Sequence, residues 1–245
     1  MKRLFTAIFL NFLFSCKNGN LDIDPSVPAG SLYEIKVSDK ISSGYEYENG
    51  ILVREKEYGA CETPYSITQY NYKSGTLVSY ESSYRGIYSS NSRALCDANG
   101  AFEKDFKTVK YDNLGRVSKI LLKNTEVRYE YEDNQISKHI TENGSNVSAR
   151  VHYLKYDTSG NLIEEKTPDP ANGGITRYKY DEKPNPLYFK YDKQPKSAFT
   201  SPNNVVKAYD AAGRQLWERK FTYNAKGLPE SCVESNGITY SYVYK

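Results

Sequence analysis

Tyrosine recurs at alternate positions along much of this chain, and the runs repeatedly end in Asp-x-x-Gly. The unit Tyr111-Asp112-Asn113-Leu114-Gly115-Arg116-Val117 returns as Tyr156-Asp157-Thr158-Ser159-Gly160-Asn161-Leu162 and as Tyr209-Asp210-Ala211-Ala212-Gly213-Arg214. Looser copies begin at Tyr47, Tyr72, Tyr131, Tyr180 and Tyr223. Several starts lie 20 to 25 residues apart, as from Tyr111 to Tyr131 and from Tyr131 to Tyr156, which suits one pair of strands per unit. Internal repetition of this kind is the mark of a supersecondary unit used over and over.

The unit has a plain physical meaning. Asp at the first turn position bonds backbone amides ahead of it, and Gly at the fourth accepts a positive φ. Together they predict a type I turn with a glycine bulge at Asp112–Gly115, Asp157–Gly160 and Asp210–Gly213. The stretches before the turns alternate. Val127, Tyr129 and Tyr131 fall on one face, Arg128 and Glu130 on the other; Ile238, Tyr240, Tyr242 and Tyr244 repeat the pattern. Period two with aromatic and β-branched residues is strand. No stretch of the mature chain combines a helical period with caps. With 24 Tyr among 245 residues against 9 Phe, the core must be built largely from amphipathic rings. The expected fold is all-β: a long antiparallel meander of hairpin repeats from about residue 31 to 245. Its sheet twists and curls, since flat sheets of many strands are unusual. One face carries tyrosine and aliphatic side chains, the other polar ones. Spacing leaves open whether the sheet closes as a barrel.

The N-terminus reads as a processing signal over residues 1–15. Lys2 and Arg3 precede an apolar stretch over residues 4–14, shorter than the roughly 20 residues of a membrane-spanning helix. The stretch ends in Leu13-Phe14-Ser15-Cys16, which resembles the bacterial lipobox. That resemblance implies cleavage before Cys16 and a lipid anchor on it, with the membrane as a partner. Residues 16–30 would then be a lipidated tether, polar and rich in Gly, Pro and Asn. Removing Lys2 and Arg3 leaves 31 basic against 30 acidic residues (33 − 2 = 31), too even a balance for a nucleic-acid partner. Export implies an oxidising compartment. A disulfide between Cys61 and Cys96, both in turn-rich stretches, is expected to contribute roughly 4 kcal/mol in the chain-entropy model. Cys232 would remain as a small buried strand residue.

The Tyr-Asp-x-x-Gly units from Tyr45 onward resemble the YD-repeat family, also called Rhs repeats. The likeness is to its small lipid-anchored members from the Bacteroidetes. It implies a secreted or surface all-β protein at the outer membrane, on its periplasmic or its external face. Three copies are clean, their spacing is irregular, and the chain is too short to build the enclosing shell of the long family members. The segment beginning Tyr180-Asp181-Glu182-Lys183-Pro184-Asn185 and ending near Ser201-Pro202-Asn203-Asn204 looks like an insertion found in the small members.

Chemistry is sparse. His139 and His152 have no Cys, Asp or Glu at metal-ligand spacing, and both suit satisfied strand histidines. No nucleophile elbow or Walker loop occurs. Neither a catalytic residue nor a cofactor or metal site is expected, and a monomer is. Trp217, the one tryptophan, sits among charges of both signs and is expected in the core. Three functions follow. The first is a non-catalytic, lipid-anchored protein that binds a glycan or an envelope protein through its tyrosine-rich sheet. The second is a carrier of an apolar ligand inside a curled sheet. The third is a glycan hydrolase with paired carboxylates, which a strand surface can supply.

Overall fold

The computed structural model describes residues 31–58, 63–85, 102–142, 150–168, 174–188 and 194–244. Cys16, Cys61 and Cys96 lie outside them. The strands run β1 (Leu32–Val37), β2 (Lys40–Glu48), β3 (Ile51–Glu57), β4 (Ser66–Lys73), β5 (Thr76–Arg85), β6 (Phe102–Tyr111), β7 (Val117–Leu121) and β8 (Thr125–Glu132). They continue as β9 (Gln135–Glu142), β10 (Arg150–Tyr156), β11 (Leu162–Lys166), β12 (Ile175–Pro184), β13 (Asn203–Tyr209), β14 (Gln215–Tyr223), β15 (Pro229–Glu234) and β16 (Thr239–Tyr244). Each pairs antiparallel with its sequence neighbours, and β1 also pairs with β16, so the meander closes into a barrel of 16 strands. Ile35 of β1 stands opposite Ser43 on one side and Tyr242 on the other. Closure leaves no edge strand to be covered.

Residues paired directly across a ladder share a face, and burial says which face is inside. Leu52, Leu77, Val117 and Leu162 are all nearly inaccessible, and each is paired with the tyrosine that opens its unit: Tyr47, Tyr72, Tyr111 and Tyr156. The register shifts by a bulge at each of these tyrosines. A bulge sharpens local twist and bends its strand, which supplies the curvature a closed sheet needs. The outer face carries ion pairs instead. Arg54 and Lys56 reach Glu46, Lys104 reaches Glu81 at 2.8 Å, Lys119 reaches Glu126 at 2.9 Å, and Arg177 reaches Glu164 at 2.7 Å. A membrane-spanning barrel would present apolar side chains to lipid at such positions.

The meander places successive turns at alternating ends. The units at Tyr47, Tyr72, Tyr111, Tyr131, Tyr156 and Tyr223 all turn at one end, because each joins an even-numbered strand to the next odd one. The Tyr209 unit joins β13 to β14 and so turns at the opposite end. Its partner across the ladder is the exposed Gln215 where other units have an aliphatic residue. The Tyr180 unit corrects the sequence expectation. Tyr180 lies mid-strand and β12 runs on through Pro184, because that unit lacks glycine at its fourth position. The connection to β13 comes later, and residues 185–188 and 194–202 are its described parts.

Candidate functional site

The three clean units form the same turn. Asp112 Oδ1 accepts the amides of Leu114 and Arg116, both at 2.9 Å. Gly115 N donates to the Asp112 carbonyl at 3.1 Å, with Gly115 at φ +74°. Asp157 Oδ1 accepts from Ser159 and Asn161, and Asp210 Oδ1 from Ala212 and Arg214, while Gly160 and Gly213 sit at φ +84° and +81°. Asn224 does the same work through its amide oxygen, accepting from Lys226 and Leu228. Asp112, Asp157 and Asp210 with their glycines are therefore hairpin tips, and the structure brings none of them together as a binding cluster.

The barrel interior is where distinctive side chains converge. Side chains can fill a barrel of about eight strands, and this one has 16. Tyr129, Tyr156, Tyr178, Tyr180, Tyr242 and Tyr244 face inward yet keep partial exposure. Burial pushes the phenols of Tyr129 and Tyr178 up to about 12, with the Glu165 carboxylate adding to the effect on Tyr178. These groups stay protonated, as donors, at any physiological pH.

The hydroxyls have defined tasks. Tyr72 donates to the carbonyl of Leu52 at 2.9 Å, Tyr111 to Leu77 at 2.6 Å, Tyr131 to Val117 at 2.7 Å, Tyr180 to Leu162 at 2.6 Å and Tyr244 to Pro229 at 2.8 Å. Each tyrosine stands on an even-numbered strand and reaches back to the residue that opens the strand before it or lies beside its turn. The result is a partial ring of phenols around one end of the barrel. Tyr156 breaks the series by donating to Lys196 O, in the connection between β12 and β13, at 2.8 Å.

The described parts of that connection, residues 185–188 and 194–202, fold inward at the same end. Leu187 packs against the aliphatic cluster, and Ser201, fully buried, accepts Leu162 N at 3.0 Å. Asn185 holds the segment together: its side-chain amide donates to Phe199 O at 2.9 Å and Ser201 O at 2.8 Å. Asp181 is drawn in as well, accepting the Tyr223 hydroxyl and the amide of Asn204. Phe199 then stacks on Trp217, with ring centroids 5.8 Å apart. Trp217 faces Ala208 across the ladder and is inward but half-buried, lining the interior where a sealed core position was expected.

Charges share this interior. Glu55, 4% exposed, accepts the Tyr70 hydroxyl at 3.0 Å. Lys107 pairs with Asp105 at 3.3 Å, and His152 lies 3.3 Å from Glu165. Arg219 stands beside Glu234, with its guanidinium 4.7 Å from the Phe199 ring and 5.3 Å from each of Trp217 and Tyr240. His139 is on the outer face, 3.0 Å from Glu130. No group of three or more potential metal ligands occurs among the described residues. Sequence reasoning missed Arg219, Glu234 and the phenol ring. The two-residue spacing of Trp217 and Arg219 put both on one face, and the excess of Tyr over Phe was the sign that hydroxyls were in use.

No family model matches the chain, and no curated protein resembles it in sequence. Among solved structures it is similar to the TcdB2–TccC3 toxin complex, with a TM-score of 0.33 and 12% identity over 83% of this chain. A second likeness is to the Photorhabdus luminescens Tc holotoxin pore, with a TM-score of 0.32 and 15% identity over 80% of this chain. The chain spans only 12% and 9% of those two toxin chains. A third is to a porin-like protein from Bacteroides uniformis, with a TM-score of 0.35 and 11% identity, covering 89% of this chain and 98% of that one.

Proposed function

We propose that this chain is a lipid-anchored cell-envelope protein of the YD-repeat kind, which binds a glycan without chemistry inside its tyrosine-lined barrel. The carrying observation is the character of the interior: aromatic faces interleaved with ionised groups. Ring faces stack on sugars, and fixed charges and hydroxyls match their polar edges. A purely apolar ligand would leave Lys107, Arg219 and Glu165 desolvated, which disfavours the carrier. The tyrosine face points inward, so a glycan chain suits it better than a folded protein partner. The anchor rests on the Leu13-Phe14-Ser15-Cys16 lipobox, and the outer-membrane location on the resemblance to the small lipid-anchored YD-repeat proteins.

The single tryptophan makes the test direct, because emission excited at the red edge, where tyrosine does not absorb, reports only Trp217. Glycan oligomers should shift or quench that emission saturably, while fatty acids should not. Fatty-acid binding with silent glycans would establish the carrier instead, and shortening of the glycans on a column would establish a hydrolase. For the anchor, Cys16→Ser should abolish labelling by radioactive fatty acid and release the protein from membranes. A wild-type protein that takes no label would remove the lipid from the proposal.

A further inference from the structure

Arg219 is the inward cation with the least conventional surroundings. Its guanidinium is flanked by Phe199, Trp217 and Tyr240. Its one ion pair among the described residues is to Glu234, at 3.7 Å from Nη2, beyond hydrogen-bond length, and the other Glu234 oxygen is occupied by the Tyr240 hydroxyl at 2.9 Å. Arg219 Nε is buried with no hydrogen-bond partner. A guanidinium has five donors in a planar fork, and here none is matched among the described residues. Charge is thus balanced by Glu234 while the fork's hydrogen bonds are unmet. The side chain is 17% exposed, so the fork is partly reachable from the interior.

From this we infer that the Arg219 fork, with Trp217 and Phe199 beside it, is a subsite for the carboxylate of an acidic sugar. The inference rests on the glycan-binding function proposed above and names the class of glycan. A carboxylate matches the guanidinium fork in a way a sugar hydroxyl does not, and charge-assisted bonds of this kind are the strong ones. The neighbouring rings supply flat faces for the sugar that carries it. Glu234 opposes the incoming charge, and so limits the affinity and makes its own removal informative.

The test uses galacturonate, alginate and hyaluronan tetramers, each beside its carboxyl-reduced counterpart, titrated against Trp217 emission. At least one acidic tetramer should bind about tenfold tighter than its reduced form, the equivalent of one charge-assisted hydrogen bond. Arg219→Gln should erase that preference, so that the acidic tetramer and its reduced form bind alike. Glu234→Gln, which keeps Arg219 in place, should strengthen acidic binding alone and covers the case in which Arg219→Gln fails to fold. Equal binding of acidic and reduced sugars overturns the acidic subsite and leaves glycan binding standing. A preference that survives Arg219→Gln, or is weakened by Glu234→Gln, also overturns it. If no tetramer binds in either form, both proposals fall together.

Discussion

The Tyr131 hydroxyl donates to the carbonyl of Val117 at 2.7 Å, joining β8 to the first residue of β7. Val117 is fully buried, so no water can take the place of the phenol. Four more tyrosines make the corresponding bond to the preceding strand, and a buried carbonyl left without its donor costs about 1–3 kcal/mol. This is why the interior is written in Tyr where Phe would fill space equally well.

Tyr131→Phe should therefore lower stability by about 1–3 kcal/mol in urea melts. Tyr129→Phe, on the same strand and face, should change it by well under about 1 kcal/mol, because the Tyr129 hydroxyl has no hydrogen-bond partner among the described residues. Equal losses at both positions would show that ring packing matters and the hydroxyl bond does not.

At Gly115 an added β-carbon meets nothing within 4 Å, so its effect is purely conformational. With φ at +74°, Gly115→Val should destabilise by more than about 1 kcal/mol, and Gly115→Asn by less, since Asn tolerates the left-handed region. A wild-type melt for Val would mean that the turn adapts and its glycine serves another end.

Asp112 supplies a pH test. Burial alone would raise its pKa, but the amides of Arg116 and Leu114 and the Arg116 guanidinium outweigh it and hold the carboxyl below its ordinary value. A depressed folded pKa contributes stability that is complete above the unfolded value of about 3.9 and is lost as pH falls through the folded one. Asp112→Asn keeps the amide contacts, as Asn224 does in its own turn, and loses only the exposed ion pair with Arg116. At pH 7 the variant should melt within about 1 kcal/mol of wild type. Below pH 4 its stability should fall less steeply than that of wild type. Parallel curves in that range would refute the assignment.

Cys232 faces inward with no exposed surface, and burial pushes its thiol up to about 11. It should resist alkylation in the folded protein at pH 8 and react only on unfolding, followed by peptide mapping. Rapid native labelling at Cys232 would mean that the barrel opens locally around β15.

Much of this molecule is local and could be read from sequence. Turn type at Asp112, Asp157 and Asp210 depends on a few consecutive residues, and the facing of Val127, Tyr129 and Tyr131 depends on a period of two. That is enough to specify strands, hairpins and a two-faced sheet. Only the tertiary structure decided that the sheet closes, because closure sums the twist and bulges of 16 strands and shows itself in the pairing of β1 with β16. Closure in turn put the tyrosine face inside. It also separated units that look alike: Tyr156 and Tyr209 share a motif, but strand count sends their turns to opposite ends. Trp217 and Arg219 were adjacent on one face by alternation, whereas Phe199 and Tyr240 reached them only because residues 194–202 fold inward and β16 lies two strands from β14. Contacts of that kind depend on where distant strands come to rest, and no local pattern carries that information.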